Sequence, residues 1–135
     1  MIKLFVSPRS SSSRKARAWL KDHHLAFVEQ NVATNHLSFT DFKQILYLTE
    51  NGTEDIICTR SKAYAKLKAQ LTGNHLSLKE LLALINQHPS LLRCPLIVDD
   101  RRLQIGYNAD DIRQFIPRKV RLMELRLVQS RAEVA

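Results

Sequence analysis

The fold is decided by residues 1–32, MIKLFVSPRSSSSRKARAWLKDHHLAFVEQNV, in which two short apolar runs flank a helical segment. The run from Ile2 to Val6 ends at Ser7-Pro8 and predicts a buried strand. Residues 26–32 predict a second strand in the same way. Between them, apolar residues recur at helical spacing up to Asp22, namely Ala16, Trp19 and Leu20. Strand, helix and strand in so short a stretch predict a βαβ unit, with its first turn at the N-terminus of the helix.

The middle of the chain has helical periodicity in place of strands. The pattern predicts helices over 41–49, 61–71 and 78–87, and a turn with a short helix over 53–58. Ser77 precedes the last of these helices and forms a capping-box pattern with Glu80, three residues later. Residues 36–88 are therefore expected to form a helical domain inserted between two α/β pieces.

Strand character returns after Pro89. Residues 93–98 and 103–107 predict two strands joined by a hairpin turn over 99–102. Asn108 is predicted to cap a final helix over 109–115, which Pro117 interrupts. Residues 121–135 are expected to form a C-terminal tail that is partly helical or disordered and frays toward its end. The element order predicts an α/β protein with a thioredoxin-like mixed sheet, built from residues 1–35 and 89–120, that carries the inserted helical domain.

Composition and length are those of an ordinary globular protein. The chain has 135 residues, enough for one domain, and its 44% of hydrophobic and 25% of charged residues argue against disorder. No run of about 18 apolar residues occurs, so a membrane span is not expected. The apolar start at residues 1–6 is too short for a secretion signal. These features predict a cytosolic protein in which Cys58 and Cys94 stay reduced.

The balance of charge is strongly basic. The formal net charge is +8 and the pI is about 9.9, which predicts attraction to nucleic acid or to an acidic protein surface. Basic residues cluster over 9–17 and 113–126, without a zinc-finger, RRM or P-loop pattern beside them. Charge therefore predicts a negatively charged partner and does not name it.

Two places in the chain are candidates for binding. Ser10 and Ser13 begin the first helix, where two interpretations stay open: the hydroxyls cap the helix, or the free amides there hold an anion together with Arg14. Gly52 fits a glycine of positive φ after a helix end. Tyr47, five residues earlier, fits either an interface anchor or a half-buried tyrosine.

Neither a metal site nor a cofactor site is expected. The histidines do not form a metal-ligand spacing with the cysteines, and they stand at His23, His24, His36, His75 and His88. The acidic pairs at 99–100 and 110–111 are expected at a turn and a helix start, and not as a paired acid and base.

Seven motifs resemble the Spx branch of the arsenate-reductase-like (ArsC) family, in matching order and over almost the whole chain. They are residues 7–20 (SPRSSSSRKARAWL), 46–53 (LYLTENGT), 59–62 (TRSK), 85–89 (INQHP), 91–95 (LLRCP), 106–108 (GYN) and 115–121 (FIPRKVR). The resemblance implies the ArsC-like variant of the thioredoxin fold. It also implies binding to the C-terminal domain of the RNA polymerase α subunit, with control of transcription as the outcome.

The resemblance assigns roles to individual residues. It implies that Gly52, with Tyr47 and Asn51 beside it, lies in the surface that contacts the polymerase. Three arginines are expected to hold an anion or to support the loop before the first helix: Arg14, Arg60 and Arg93. Pro95 is expected to be cis and to face that loop.

Cys94 stands where many relatives have a second arginine. It fits either a small buried residue or a reactive thiol close to Ser10. A disulfide with Cys58 stays open, since it requires Cα atoms within about 7 Å of each other.

The chain departs from the resemblance at the family's Cys-x-x-Cys pair, where it has Ser10-Ser11-Ser12-Ser13. A serine hydroxyl neither forms a disulfide nor ionises near neutral pH, so the thiol switch and arsenate reduction are both expected to be absent. The leading hypothesis is a non-enzymatic, Spx-like transcription regulator that binds the polymerase α subunit and contacts promoter DNA in the complex. The alternatives are an arsenate-reductase-like thiol oxidoreductase without its nucleophile, and a basic protein that binds DNA directly.

Overall fold

The computed structural model describes residues 1–73 and 76–134 and has α/β architecture. Four strands occur at β1 (Ile2–Val6), β2 (Phe27–Asn31), β3 (Leu96–Val98) and β4 (Leu103–Ile105). Five helices occur at α1 (Ser11–Asp22), α2 (Phe39–Tyr47), α3 (Lys62–Gly73), α4 (Leu78–Gln87) and α5 (Arg118–Val134). Single 3₁₀ turns lie at Gly52–Asp55, Pro89–Leu91 and Asp111–Phe115.

The sheet is mixed and has the strand order β2-β1-β3-β4. β1 pairs in parallel with β2, with Ile2 opposite Phe27, and this confirms the predicted βαβ unit. On its other side β1 pairs antiparallel with β3, and β3 pairs antiparallel with β4. In the turn of the predicted hairpin, the Asp99 carboxylate accepts hydrogen bonds from the amides of Arg101 and Arg102.

Each face of the sheet covers a separate apolar cluster. Alternate residues of a strand point to opposite faces, so Leu4 and Ile97 belong to one cluster and Phe5 and Leu96 to the other. The first cluster lies under α1 and the last 3₁₀ turn, through Ala16, Leu20, Ile112 and Phe115. The second lies under α2 and α4, through Phe42, Ile45, Leu81, Leu82 and Ile85. Both clusters contain side chains of β1 and β3, the two central strands.

The helices of the middle segment are predicted correctly in type; α4 has the predicted limits, and α2 and α3 are shifted in theirs. α2 begins at Phe39, because Ser38 accepts a hydrogen bond from the Asp41 amide and caps it, and it ends at Tyr47. α4 begins after Ser77, whose hydroxyl accepts from the Glu80 amide at 3.2 Å as the capping-box pattern predicts. The Glu80 carboxylate in turn accepts from the Ser77 hydroxyl at 3.0 Å.

The prediction of an α-helix over 109–115 is wrong in type. The segment is a five-residue 3₁₀ turn from Asp111 to Phe115 whose N-cap is Asp110 and not the predicted Asn108, although the Asn108 side chain accepts from the amides of Asp110 and Asp111 just before it. Ile116 precedes Pro117 and has extended backbone angles, which stop the helix from continuing.

α5 continues to Val134 where fraying was expected, and Ala135 lies outside the described residues. Residues that favour helices, such as leucine, arginine, methionine and glutamate, make up most of it. Most of its described side chains are exposed, and Arg113 forms an ion pair with its Glu124. Within residues 1–73 and 76–134, no helix has the length and hydropathy needed to cross a membrane.

Candidate functional site

The residues singled out by sequence fall on two loops. Ser10, Ser13 and Arg14 lie at the start of α1. Tyr47 ends α2, and Asn51 and Gly52 lie in the turn that follows it. Arg60 and Arg93 belong to the segments on either side of the helical pair α3–α4, and Arg93 contacts the second loop.

The serines at the start of α1 are bound by the chain's own amides. Ser10 is the N-cap, and its hydroxyl accepts a hydrogen bond from the Ser13 amide at 3.0 Å, which confirms its predicted capping role. Ser13 does not cap the helix. Its hydroxyl, which is fully buried, accepts from the Ser7 amide at 3.3 Å and so ties the loop to the end of β1.

Of the three arginines expected to support this loop, Arg14 and Arg60 are exposed, and Arg93, also exposed, donates to the Asp55 carbonyl in the second loop. Arg14 follows the serines on α1, and its amide donates to the Ser10 carbonyl. In the part of the chain that the structure describes, neither Arg14 nor Arg60 forms an ion pair with a carboxylate. Their predicted part in anion binding or loop support therefore stays a prediction.

Cys94 is a partly buried thiol next to a cis peptide bond, the isomer expected for Pro95. Burial and, to a smaller extent, the nearby Cys58 together raise the pKa of the Cys94 thiol to about 12. Since the thiolate is the nucleophile, a thiol that stays protonated at neutral pH is a poor one. The structure therefore favours the small buried residue over the reactive thiol.

Cys58 and Cys94 are both free thiols, although their segments are neighbours. Ile57 pairs with Leu92 in an antiparallel bridge, and the Cys58 amide donates to the Leu91 carbonyl. In this register Cys58 lies opposite Leu91, three positions along the chain from Cys94.

The second loop presents an aromatic side chain to solvent. Tyr47 is 84% exposed, so the half-buried interpretation is wrong, and its neighbours Leu46 and Leu48 are the ones that pack on the core. Thr49 closes the end of α2, because its hydroxyl donates to the Leu46 carbonyl at 2.6 Å. Tyr47 thus stands on a fixed helix end with its ring free to meet another molecule.

Gly52 has the positive φ that its sequence position predicts. Its φ is +75°, a region that residues with a Cβ rarely adopt, and it opens the 3₁₀ turn instead of directly ending α2. A Cβ built at Gly52 would meet no atom within 4 Å. Glycine is therefore required here by the backbone conformation and not by packing, and the space beside it is open.

Asp55 holds this loop together, and sequence reasoning missed it. One carboxylate oxygen accepts hydrogen bonds from the amides of Glu50 and Asn51, at 3.1 and 3.0 Å. The other oxygen accepts from the Asn51 side-chain amide at 3.3 Å. We call these three hydrogen bonds the Asp55 clasp. No local pattern in the sequence indicates these contacts.

The hydrogen bond from the Asn51 amide is the main reason that the pKa of Asp55 is lower than usual, and partial burial opposes it. The Asn51 side chain, the Glu50 amide and the charge of Arg93 lower the pKa further. Arg93 also donates from its guanidinium to the Asp55 carbonyl at 3.4 Å. Asn51 and Arg93 thus both form hydrogen bonds with Asp55.

A polar groove lies elsewhere, between β4, the last 3₁₀ turn and α5, with a volume of about 670 Å³. None of the predicted site residues lines it. Among residues 1–73 and 76–134, no three histidine, cysteine or acidic side chains are grouped closely enough to hold a metal ion. His75 lies outside these described ranges.

Comparison with known proteins gives consistent results. The model of the ArsC family matches residues 5–115. The chain is 51% identical over 129 residues to the global transcriptional regulator Spx of Bacillus subtilis (strain 168), covering 96% of this chain and 97% of that protein. It is 48% identical over 129 residues to the regulator of the same name from Staphylococcus aureus (strain N315), with the same coverage.

Solved structures share the fold at lower identity. An ArsC-family-related protein from Bacteroides fragilis superposes with a TM-score of 0.68 at 18% identity, over 84% of this chain and 95% of that one. The arsenate reductase from Vibrio cholerae superposes with a TM-score of 0.62 at 22% identity, over 84% and 92%. The chain therefore belongs to the ArsC family.

Proposed function

We propose that this protein is a transcription regulator that binds the C-terminal domain of the RNA polymerase α subunit through the surface of Tyr47, Asn51 and Gly52. The observation that carries the proposal is the loop itself: an exposed tyrosine on a helix end, beside a glycine of positive φ with open space around it. The regulatory role is supported by relatives about half identical over nearly the full chain, which are named global transcriptional regulators.

The geometry suits a protein interface. A tyrosine buries a large area at little entropic cost and has a hydroxyl for hydrogen bonding, which is why tyrosines are frequent among residues that dominate binding energy. Glycine at position 52 leaves the backbone bare, so a partner can approach it closely. Because the Asp55 clasp already fixes the turn, little conformational freedom remains to be lost on binding.

Charge supports the choice of an acidic partner. The net charge of +8 raises the rate of encounter with a negatively charged surface at long range. Once the protein is docked on the polymerase, exposed arginines and lysines would contact promoter DNA, mainly at its phosphates. We place this activity in the cytosol.

We propose that the protein has no catalytic role and no thiol switch at the start of α1. Positions 10–13 are all serine, and the hydroxyls of Ser10 and Ser13 accept hydrogen bonds from the chain's own amides. Neither hydroxyl is a nucleophile of the kind that arsenate reduction requires. Of the two thiols in the chain, Cys94 has a pKa of about 12 and packs against the cluster under α2 and α4.

The test is a calorimetric titration of the protein with the purified C-terminal domain of the α subunit, using Gly52→Arg and Gly106→Arg variants. Both glycines have positive φ and open space for a Cβ, so both substitutions impose a similar strain of about 1–2 kcal/mol on the fold. We expect saturable binding by the unmodified protein and by Gly106→Arg, and loss of binding in Gly52→Arg.

Equal weakening by the two substitutions would mean that strain and not contact at Gly52 causes the loss. No binding by the unmodified protein at tens of micromolar would overturn the proposal.

A further inference from the structure

The segment between α2 and α3 contains the 3₁₀ turn at Gly52–Asp55 and no strand. Its amides at Glu50 and Asn51 both donate to the same carboxylate oxygen of Asp55. Gly52 lies between the two ends of this arrangement, directly after Asn51 and three residues before Asp55. The hydrogen bonds to Asp55 therefore hold the backbone just before the glycine, while the space beside Gly52 itself stays open.

We infer that Asp55 is the positioning residue of the partner-binding loop: its carboxylate holds the backbone of Glu50–Gly52 in the conformation that the partner recognises. The inference rests on the proposed function, since it assigns a role within that same surface. Asp55 is assigned no contact with the partner. It acts through the residues that it holds.

A carboxylate suits this role better than any neutral side chain. It is acceptor-only when ionised and has enough lone pairs to accept three hydrogen bonds at once. Hydrogen bonds to a charged acceptor are roughly twice as strong as those between neutral groups. Its lowered pKa agrees with this, because the three donors favour the ionised form.

The clasp is also attached to the rest of the fold. Arg93 donates from its guanidinium to the Asp55 carbonyl, and its own amide donates to the Ile56 carbonyl at 2.8 Å. The bridge between Ile57 and Leu92 follows at once. Since Leu92 leads through Pro95 into β3, the base of the loop is fixed to the central sheet while Tyr47 and Gly52 face solvent.

The experiment compares four proteins in the calorimetric titration: the unmodified chain, Asp55→Ala, Asp55→Asn and Glu54→Ala. Alanine removes all three hydrogen bonds of the clasp. Asparagine has one oxygen that can accept from both amides, and its amide group can donate to Asn51 once that side chain is turned over. Glu54→Ala removes the same charge from the exposed neighbouring residue and leaves the clasp intact.

We expect Asp55→Ala to weaken binding of the α-subunit domain roughly ten-fold or more, and Asp55→Asn to recover most of that loss. Glu54→Ala is expected to bind within about two-fold of the unmodified chain, as rim charges contribute little to affinity. Amide chemical shifts provide a second readout in the free protein: the Glu50 and Asn51 signals move in Asp55→Ala and stay nearly in place in Glu54→Ala. Urea unfolding of each variant shows whether it is folded.

Two results would overturn the inference, and they differ from each other. If the unmodified chain binds and Asp55→Ala binds as well as Glu54→Ala does, the positioning role is wrong while the proposed function stands. If the unmodified chain does not bind, the proposed function fails and this role fails with it.

Discussion

At the scale of single residues, Cys94 illustrates how burial decides whether a cysteine is a reactive group. The thiol lies against the core below α2 and α4, where ionisation would place a charge in an apolar environment. Cys58 raises the pKa further, because a second thiolate nearby would repel the first. Cys94 is therefore protonated at every pH at which the cell operates, and its chemistry is that of a small apolar side chain.

We expect the Cys94 thiol to react with iodoacetamide at pH 8 roughly fifty-fold more slowly in the folded protein than in the unfolded chain. Raising the pKa from about 9.0 to about 12 lowers the thiolate fraction about a thousand-fold, and the greater nucleophilicity of a more basic thiolate recovers part of this. Mass spectrometry of the Cys58→Ser variant, with and without guanidinium, measures one thiol alone. Equal rates in the two states would contradict the assignment.

The raised pKa of Cys94 determines how the stability of the native state changes with pH. Between about pH 9 and pH 12 the unfolded chain releases the Cys94 proton and the native state keeps it, so the native state loses stability as the pH rises through this range. Below pH 9 both states hold the proton, and Cys94 makes no contribution to the pH dependence of unfolding.

At the scale of elements, α1 depends on two serines that hold opposite sides of its first turn. Ser10 satisfies an amide inside the helix, and Ser13 satisfies the amide of Ser7 outside it. The first four amides of a helix have no partner within it, and the Ser10 hydroxyl supplies one for the Ser13 amide. The Ser13 hydroxyl does the same for a partly buried amide of the loop. The loop and the helix are thereby joined without the cysteine pair that the family resemblance implies at these positions.

We expect Ser10→Ala to lower the free energy of unfolding by about 1 kcal/mol, the usual loss for a helix N-cap. Ser13→Ala should cost about 1–3 kcal/mol, because it leaves a partly buried amide without an acceptor. Ser11→Ala is the matched control: Ser11 is exposed, and alanine favours the helix, so its effect should stay within about 0.5 kcal/mol. Urea denaturation measures all three. A loss for Ser11→Ala as large as for the other two would contradict the capping account.

The same elements show which parts of the structure could be predicted from the sequence. The βαβ unit, the hairpin and α4 have strong local signals, since their periodicity and capping residues lie within a few positions of each other. The prediction of an α-helix over 109–115 is wrong in type. The spacing of apolar residues does not show that Pro117 restricts the backbone of Ile116, the residue before it. Periodicity alone does not predict the exposure of a residue at the end of a helix, because that depends on what packs there. The exposure of Tyr47 therefore could not be predicted from the sequence.

Asp55 could not be predicted for a different reason. Its partners at Glu50 and Asn51 belong to an irregular turn, in which no repeat indicates where amides point. Arg93, which completes the arrangement, is 38 residues away in sequence. Contacts of this kind follow from the folded path of the chain and not from any local pattern.

At the scale of the whole molecule, the two predicted loops play unequal parts. The loop before α1 has its serine hydroxyls engaged within the chain, whereas the loop after α2 presents Tyr47 and the bare backbone of Gly52 to solvent on a base fixed to the sheet. The whole chain has a net charge of +8, which favours encounter with an acidic protein. Under the proposed function, the molecule is a support that presents the loop after α2 to its partner.

The most direct test of that description is to map the contact surface by NMR. The ¹⁵N-labelled protein is titrated with the unlabelled C-terminal domain of the polymerase α subunit, and the amide signals that move or broaden are located on the fold. We predict that the affected amides cluster from Tyr47 to Ile56, with those of β2 and α5 unchanged. Changes confined to the start of α1 or to α5, or no change at saturating concentration, would contradict the account.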